Sequence, residues 1–183
     1  AYVNMSWQQI QSPTPLPAPG IWVAEYYNNR VLDGSPAAIL SEASPSHNWG
    51  SSAPLSSVSA DNFSVRWRAN LALDGAYLLS VRADDGVRVT INGVRFIDEW
   101  HSARDETYST VINLPNGLHA VTIEYYEETG AAFMDFSLSR LGDMSGLWRA
   151  EYYSNRDLSG SPVASEYLNS PRLLYTSDAA DDT

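Results

Sequence analysis

Between Phe63 and Arg68, apolar Phe63, Val65 and Trp67 alternate with Ser64, Arg66 and Arg68. That period of two belongs to a strand with one face in a core. Tyr77, Leu79, Val81 and Ala83 alternate in the same way, followed by Val87, Val89 and Ile91. Asn92-Gly93 comes next, and both central positions of a tight hairpin turn favour residues that tolerate positive φ. Val94 to Trp100 then reads as the returning strand. Val111 to Leu114, a turn at Pro115-Asn116-Gly117, and His119 to Tyr126 read as a second hairpin, with Met134, Phe136 and Leu138 as the last strand. No stretch of ten or more residues carries helical periodicity. Short strands punctuated by Gly, Pro and Asn predict an all-β, antiparallel β-sandwich or barrel.

The chain also repeats itself. Gly20 to Pro36 recurs as Gly146 to Pro162, with twelve of seventeen positions identical at an offset of 126. A fainter echo joins Ala1–Trp7 to Ala132–Leu138. The repeat predicts an array: residues 1–10 as the last strand of a preceding module, and 11–19 as a linker stiffened by Pro13, Pro15, Pro17 and Pro19. A complete module follows at 20–141, then a linker at 142–145 and the start of a third module at 146–170. Residues 171–183 have no counterpart in the repeat. They read as a non-native tail, like a translated sequencing adapter, the alternative being a natural divergent end.

Composition narrows the partners. A net charge of −11 disfavours nucleic acid and anionic membranes, which select basic patches. The absence of cysteine removes disulfides, thiolate catalysis and zinc–thiolate sites. No apolar run reaches membrane-spanning length, so membrane insertion is not expected. The spare carboxylates suit hard cations.

Several motifs occur in order: Trp22-x-Ala24-Glu25-Tyr26-Tyr27, Asn48-Trp49-Gly50, Ala60-Asp61-Asn62-Phe63, Ala83-Asp84-Asp85-Gly86-Val87, Asn92-Gly93, Ile97-Asp98-x-Trp100 and Glu124-Tyr125-Tyr126-Glu127. Together they resemble the PA-fourteen domain family over all of 20–141, with partial copies on either side. Residues 45–50 depart from it, since His47 stands where an apolar residue is usual. The resemblance implies a β-sandwich or barrel, used in secreted and surface proteins as a carbohydrate-binding or spacer module.

Asp84-Asp85-Gly86 is the best candidate site. Neighbouring side chains on a regular strand face opposite ways, so two adjacent aspartates share a ligand only where the backbone bends sharply, as a cis peptide would make it. Resemblance to the sugar-binding adhesin branch implies such a cis pair holding Ca²⁺. Further oxygens would come from the loop Glu127-Glu128-Thr129-Gly130-Ala131-Ala132. Asp84, Asp85 and Glu128 are therefore the expected metal ligands, and Asp84, Asp85, Glu127, Glu128 and Thr129 the expected ligand-binding set. The adhesin branch carries an amide in that loop, and here Glu128 and Thr129 stand instead. Ca²⁺ takes six to eight oxygens, so an extra carboxylate supplies charge but competes with a sugar hydroxyl.

The remaining residues read as structural. Trp22, Trp67 and Trp100 fall at inward positions or strand ends, and Asp98 is expected to anchor a turn through backbone N–H groups. His47, His101 and His119 share no metal-ligand spacing. No nucleophile elbow occurs, and no catalytic residue is assigned. Two functions remain: a non-catalytic carbohydrate-binding module of a secreted or surface protein, with Ca²⁺ as cofactor and glycans as partners, or a structural stalk repeat contacting only neighbouring modules. A hydrolase has no supporting motif.

Overall fold

The computed structural model describes residues 19–142, 148–159 and 164–168. The chain divides into two compact units, Ala1–Arg140 and Leu141–Thr183. Every regular element among the described residues is a strand. The expected strand at 1–10, most of the linker at 11–19 and the tail at 171–183 lie outside the described residues.

The first unit holds β1 (Trp22–Tyr27), β2 (Ala38–Glu42), β3 (His47–Gly50), β4 (Phe63–Asp84), β5 (Gly86–Ile91), β6 (Val94–Glu99), β7 (Glu106–Glu127) and β8 (Ala132–Arg140). All pairings are antiparallel. Two 22-residue strands, β4 and β7, pair along their whole length. Their two halves have different outer neighbours. Residues 64–68 of β4 lie between β1 and β7, while 77–83 lie between β8 and β7. The far half of β7 carries β5, which carries β6. One layer is thus β2-β1-β4-β7-β5-β6, and the other adds β8 and β3 to the second half of β4. This is the all-β antiparallel sandwich anticipated from the sequence.

The expected second hairpin is corrected. Pro115-Asn116-Gly117 does not reverse the chain. Leu114 pairs with Gly75 and Gly117 with Leu73, so β7 runs straight through while Pro115 and Asn116 face the single residue Asp74. The segment is a bulge that bends the β4–β7 ladder between layers, with Gly75 at φ 82° as its complement. Asn92-Gly93 does form the anticipated turn, with φ 51° and 81°.

The core follows the alternation. Phe63, Val65, Trp67, Leu79, Val81, Ala83, Val87, Val89, Val121, Ile123 and Tyr125 are all fully buried. In β1, Trp22, Ala24 and Tyr26 join this core. Glu25, also buried, faces Arg68 and Arg66 and accepts from the Tyr27 hydroxyl at 3.1 Å. Paired charges explain why a glutamate is tolerated there. Trp100 is only half-buried, lying under the Arg88 guanidinium at 4.3 Å and against Tyr126 at 4.8 Å. Asp98 accepts from Arg88 and Arg95 rather than from backbone N–H groups. Two guanidinium groups are within its reach, and charge-assisted bonds are the stronger choice.

In the second unit, β9 (Trp148–Tyr152) pairs with β10 (Ala164–Leu168). Trp148 opposes Leu168 as Trp22 opposes Glu42, so both partners are displaced by the repeat offset. Trp148 is 58% exposed where Trp22 is 4%. The hairpin has no counterparts of β4, β7 and β8 to cover it among the described residues.

Candidate functional site

The chain crosses from one layer to the other at Asp84-Asp85-Gly86. Asp84 ends β4 opposite Phe133 of β8, and Gly86 opens β5 opposite Tyr126 of β7. The Asp84–Asp85 peptide bond is cis. One carboxylate oxygen each of Asp84, Asp85 and Glu127 lies within 4.8 Å of the others.

Each acid is held differently. Asp85 is buried and accepts from Ala103 N–H at 3.2 Å and Glu128 N–H at 2.7 Å, which fix its carboxylate between two loops. Asp84 is half-buried, and its carboxylate makes no hydrogen bond among the described residues; its carbonyl accepts from the Tyr125 hydroxyl. Burial raises the Asp84 pKa, and the Asp85 charge raises it further, with Arg104 opposing. Glu127 is fully buried at the end of β7. Its Oε2 lies 3.1 Å from the Tyr125 hydroxyl, while its Oε1 is buried with no partner. Burial pushes its pKa up to about 8, and Asp85, Asp84 and Asp61 add to this against the Tyr125 contact. Three carboxylates converging with little compensating positive charge are costly unless a proton or a cation neutralises part of them.

A pocket of about 390 Å³ opens over this cluster, lined by Asp84, Asp85, Arg104, Glu106, Glu128 and Thr129 among others. The Glu128 carboxylate is turned to its rim, where it pairs with Arg30 and accepts from the Ser102 hydroxyl. Its carbonyl accepts from Asn62 N–H at 3.1 Å. The structure therefore brings Asp84 and Asp85 together with Glu127, and directs Glu128 to Arg30 instead. Strand alternation is the reason: Glu127, the last residue of β7, faces inward, and Glu128 faces out. Thr129 stands on the pocket wall.

Two further side chains border the cluster, Tyr125 from a motif read only as a family mark and Arg104 from no motif at all. Tyr125 links the Asp84 carbonyl to Glu127, and Arg104 enters the pocket from the loop between β6 and β7. A second cavity of about 530 Å³, walled by Trp22, Leu71, Tyr77 and Phe136, is mainly apolar. The histidines stay apart. His47 stacks on Trp49 at 5.0 Å and bonds Glu42, His101 bonds Glu99, and His119 spans Asn92 and the Pro115 carbonyl.

Residues 17–145 match the PA14 domain family. Among curated proteins, the anti-sigma-I factor RsgI3 of Acetivibrio thermocellus is 33% identical over 112 residues, covering 59% of this chain and 17% of that protein. Among solved structures, an anti-sigma factor domain-containing protein superposes with a TM-score of 0.61 at 25% identity, covering 81% of this chain and 58% of the other. A PA14 sugar-binding domain from an RTX adhesin superposes with a TM-score of 0.56 at 20% identity, covering 66% of this chain and 90% of that domain. The chain thus spans a small part of the curated relative and just over half of the first structural one. With its fold, its ordered motifs and a match across 17–145, the chain belongs to the PA14 domain family.

Proposed function

We propose that residues 20–141 form a Ca²⁺-dependent, non-catalytic glycan-binding module of a secreted or cell-surface multidomain protein. The observation that carries this reading is the Asp84, Asp85 and Glu127 cluster beneath an open pocket, with Glu127 Oε1 buried and unpartnered. An orphaned buried carboxylate oxygen costs free energy that a cation would offset. Hard oxygens without sulfur or imidazole fit Ca²⁺ rather than zinc or copper. Asp84, Asp85 and Glu127 would hold the ion. Three carboxylates leave part of a six-to-eight-oxygen shell for water, main-chain carbonyls and ligand hydroxyls. When bound, the ion supplies a Lewis-acidic point that grips vicinal hydroxyls. The protein's own share is to fix Asp85 through Ala103 and Glu128 N–H groups and to shape the wall with Thr129.

The stalk reading rests on a different observation. The β9–β10 pairing repeats that of β1–β2, as a chain of spacer modules would require. Calcium titration followed by melting, with and without chelator, tests the two. The binding reading expects a melting shift in the wild type that Asp84→Asn abolishes, and a calcium-dependent signal on a glycan array. No shift at millimolar Ca²⁺ would leave the stalk reading.

A further inference from the structure

Eight arginines lie between residues 20 and 140, and the chain has no lysine. Seven of the eight, Arg30, Arg66, Arg68, Arg82, Arg88, Arg95 and Arg140, pair with a carboxylate within 4.0 Å. Arg104 alone has no such partner among the described residues, and it stands on the wall of the carboxylate pocket. Its placement is fixed from both sides. The N–H of Ala103 donates to Asp85 Oδ1, and Asp105, at φ 53°, takes a two-pronged grip from Arg82, with Nη2 to Oδ2 at 2.6 Å. The loop is thereby tied to the Asp85 carboxylate and to β4. In an acidic protein whose other module arginines are ion-paired, a guanidinium with no carboxylate within 4.0 Å, felt by Asp84 only at longer range, is available to an anion in this pocket.

We propose that this pocket takes a sugar acid, a hexuronate, whose carboxylate lies between the cation held by Asp84, Asp85 and Glu127 and the Arg104 guanidinium. The proposal rests on the calcium reading of the same site. Guanidinium donors match the two oxygens of a carboxylate in a planar fork, which a hydroxymethyl group cannot reciprocate. A hard cation prefers a carboxylate oxygen to a neutral hydroxyl for the same reason that its protein ligands are acids. The pocket volume falls in the range of small-ligand sites. The other charges on its wall are accounted for. Glu128 is neutralised by Arg30, leaving Glu106, opposite Ala83 at the start of β7, as the one wall carboxylate set against an anion. That opposition makes Glu106 a second handle on selectivity.

The test uses the full chain and two matched pairs, methyl glucuronide against methyl glucoside and methyl galacturonide against methyl galactoside, titrated in Ca²⁺ and in chelator. Within one pair at least, the uronide should bind tenfold or more tighter, and only with Ca²⁺. Arg104→Gln should bring the pair to near parity while keeping the calcium melting shift, and Arg104→Lys should fall between, having charge but no fork. Glu106→Gln should strengthen uronide binding. An oligouronide run beside the monosaccharide separates a polysaccharide chain from a free sugar acid as the source. Equal binding within both pairs, a preference that survives Arg104→Gln, or displacement by acetate as efficient as by uronide would overturn the proposal while the calcium shift stands. A wild type without any calcium shift would overturn this proposal and the calcium reading together.

Discussion

Gly86 lies directly under the ring of Tyr126: a Cβ on Gly86 would stand 2.2 Å from Tyr126 Cε1. The glycine of Asp-Asp-Gly is there for close approach. Its φ is not positive, unlike those of Gly75 and Gly93. Tyr126 is itself buried against Trp100, so the ring has little room to withdraw. Gly86→Ala should therefore cost about 1–3 kcal/mol, the usual penalty for overpacking a filled site. Urea unfolding of the variant checks this. An unchanged midpoint would mean that Tyr126 swings clear at no cost.

Glu127→Gln separates the cation reading from a structural one. The substitution keeps the volume and removes from the Asp84, Asp85 and Glu127 cluster the one carboxyl that a bound cation would have to deprotonate. At Ca²⁺ a hundredfold above the dissociation constant, the wild type should gain about 2.7 kcal/mol of stability. The variant should gain a small fraction of that. In chelator at neutral pH it should stay close to the wild type, because burial pushes the Glu127 pKa up to about 8 and the metal-free side chain is already largely protonated. Calorimetric melts in calcium and in chelator read both effects.

Glu42 carries a pH dependence of the fold. Its Oε1 accepts from the Tyr26 hydroxyl at 2.7 Å, and its Oε2 from Trp67 Nε1 at 2.7 Å and His47 Nε2 at 2.9 Å. Burial alone would raise the pKa. The bonds from His47, Trp67 and Tyr26 together outweigh it and hold the carboxyl below its ordinary range. The native state then binds this proton more weakly than the unfolded chain. Stability from Glu42 is complete above the unfolded value of about 4.3 and is lost as pH falls through the lower native value. Urea midpoints below pH 5 should fall less steeply for Glu42→Gln than for the wild type. Parallel slopes would remove Glu42 as a cause.

Asn92 has two duties in the β5–β6 turn. It sits at φ 51°, and its side chain accepts from Ala120 N–H at 3.0 Å while donating to His119 Nδ1 at 2.7 Å. Asn92→Ala should cost about 1–3 kcal/mol, since it loses both bonds and replaces a residue that tolerates positive φ by one that does not. Asn92→Gly relieves the backbone but not the bonds, so its loss should be smaller. Thermal melts of the two variants apportion the effect. Equal losses would assign all of it to the bonds, including the partner left to buried His119.

Alternation along Phe63–Arg68 and Tyr77–Ala83 was enough to name the strands, the buried face and the all-β class, because a half-buried strand writes its period directly into the sequence. The repeated Trp-x-Ala-Glu-Tyr-Tyr likewise announced a second copy of the β1–β2 hairpin. The sequence alone could not say that 63–84 and 106–127 are single bent strands. A bulge opposite Asp74 and a reversing turn would both use Pro115-Asn116-Gly117, and only the pairing partner across the ladder distinguishes them. The site divides in the same way. Asp84-Asp85 was legible as a candidate through the family resemblance, since Asp-Asp-Gly by itself reads as a turn. That the Glu127 carboxylate stands beside Asp84 and Asp85, with that of Glu128 turned to Arg30, depended on where β7 ends and which way its last residue faces. Arg104 carries no motif at all. It reaches the pocket because Ala103 and Asp105 are tied to Asp85 and Arg82, contacts between residues about twenty positions apart that only the folded chain creates.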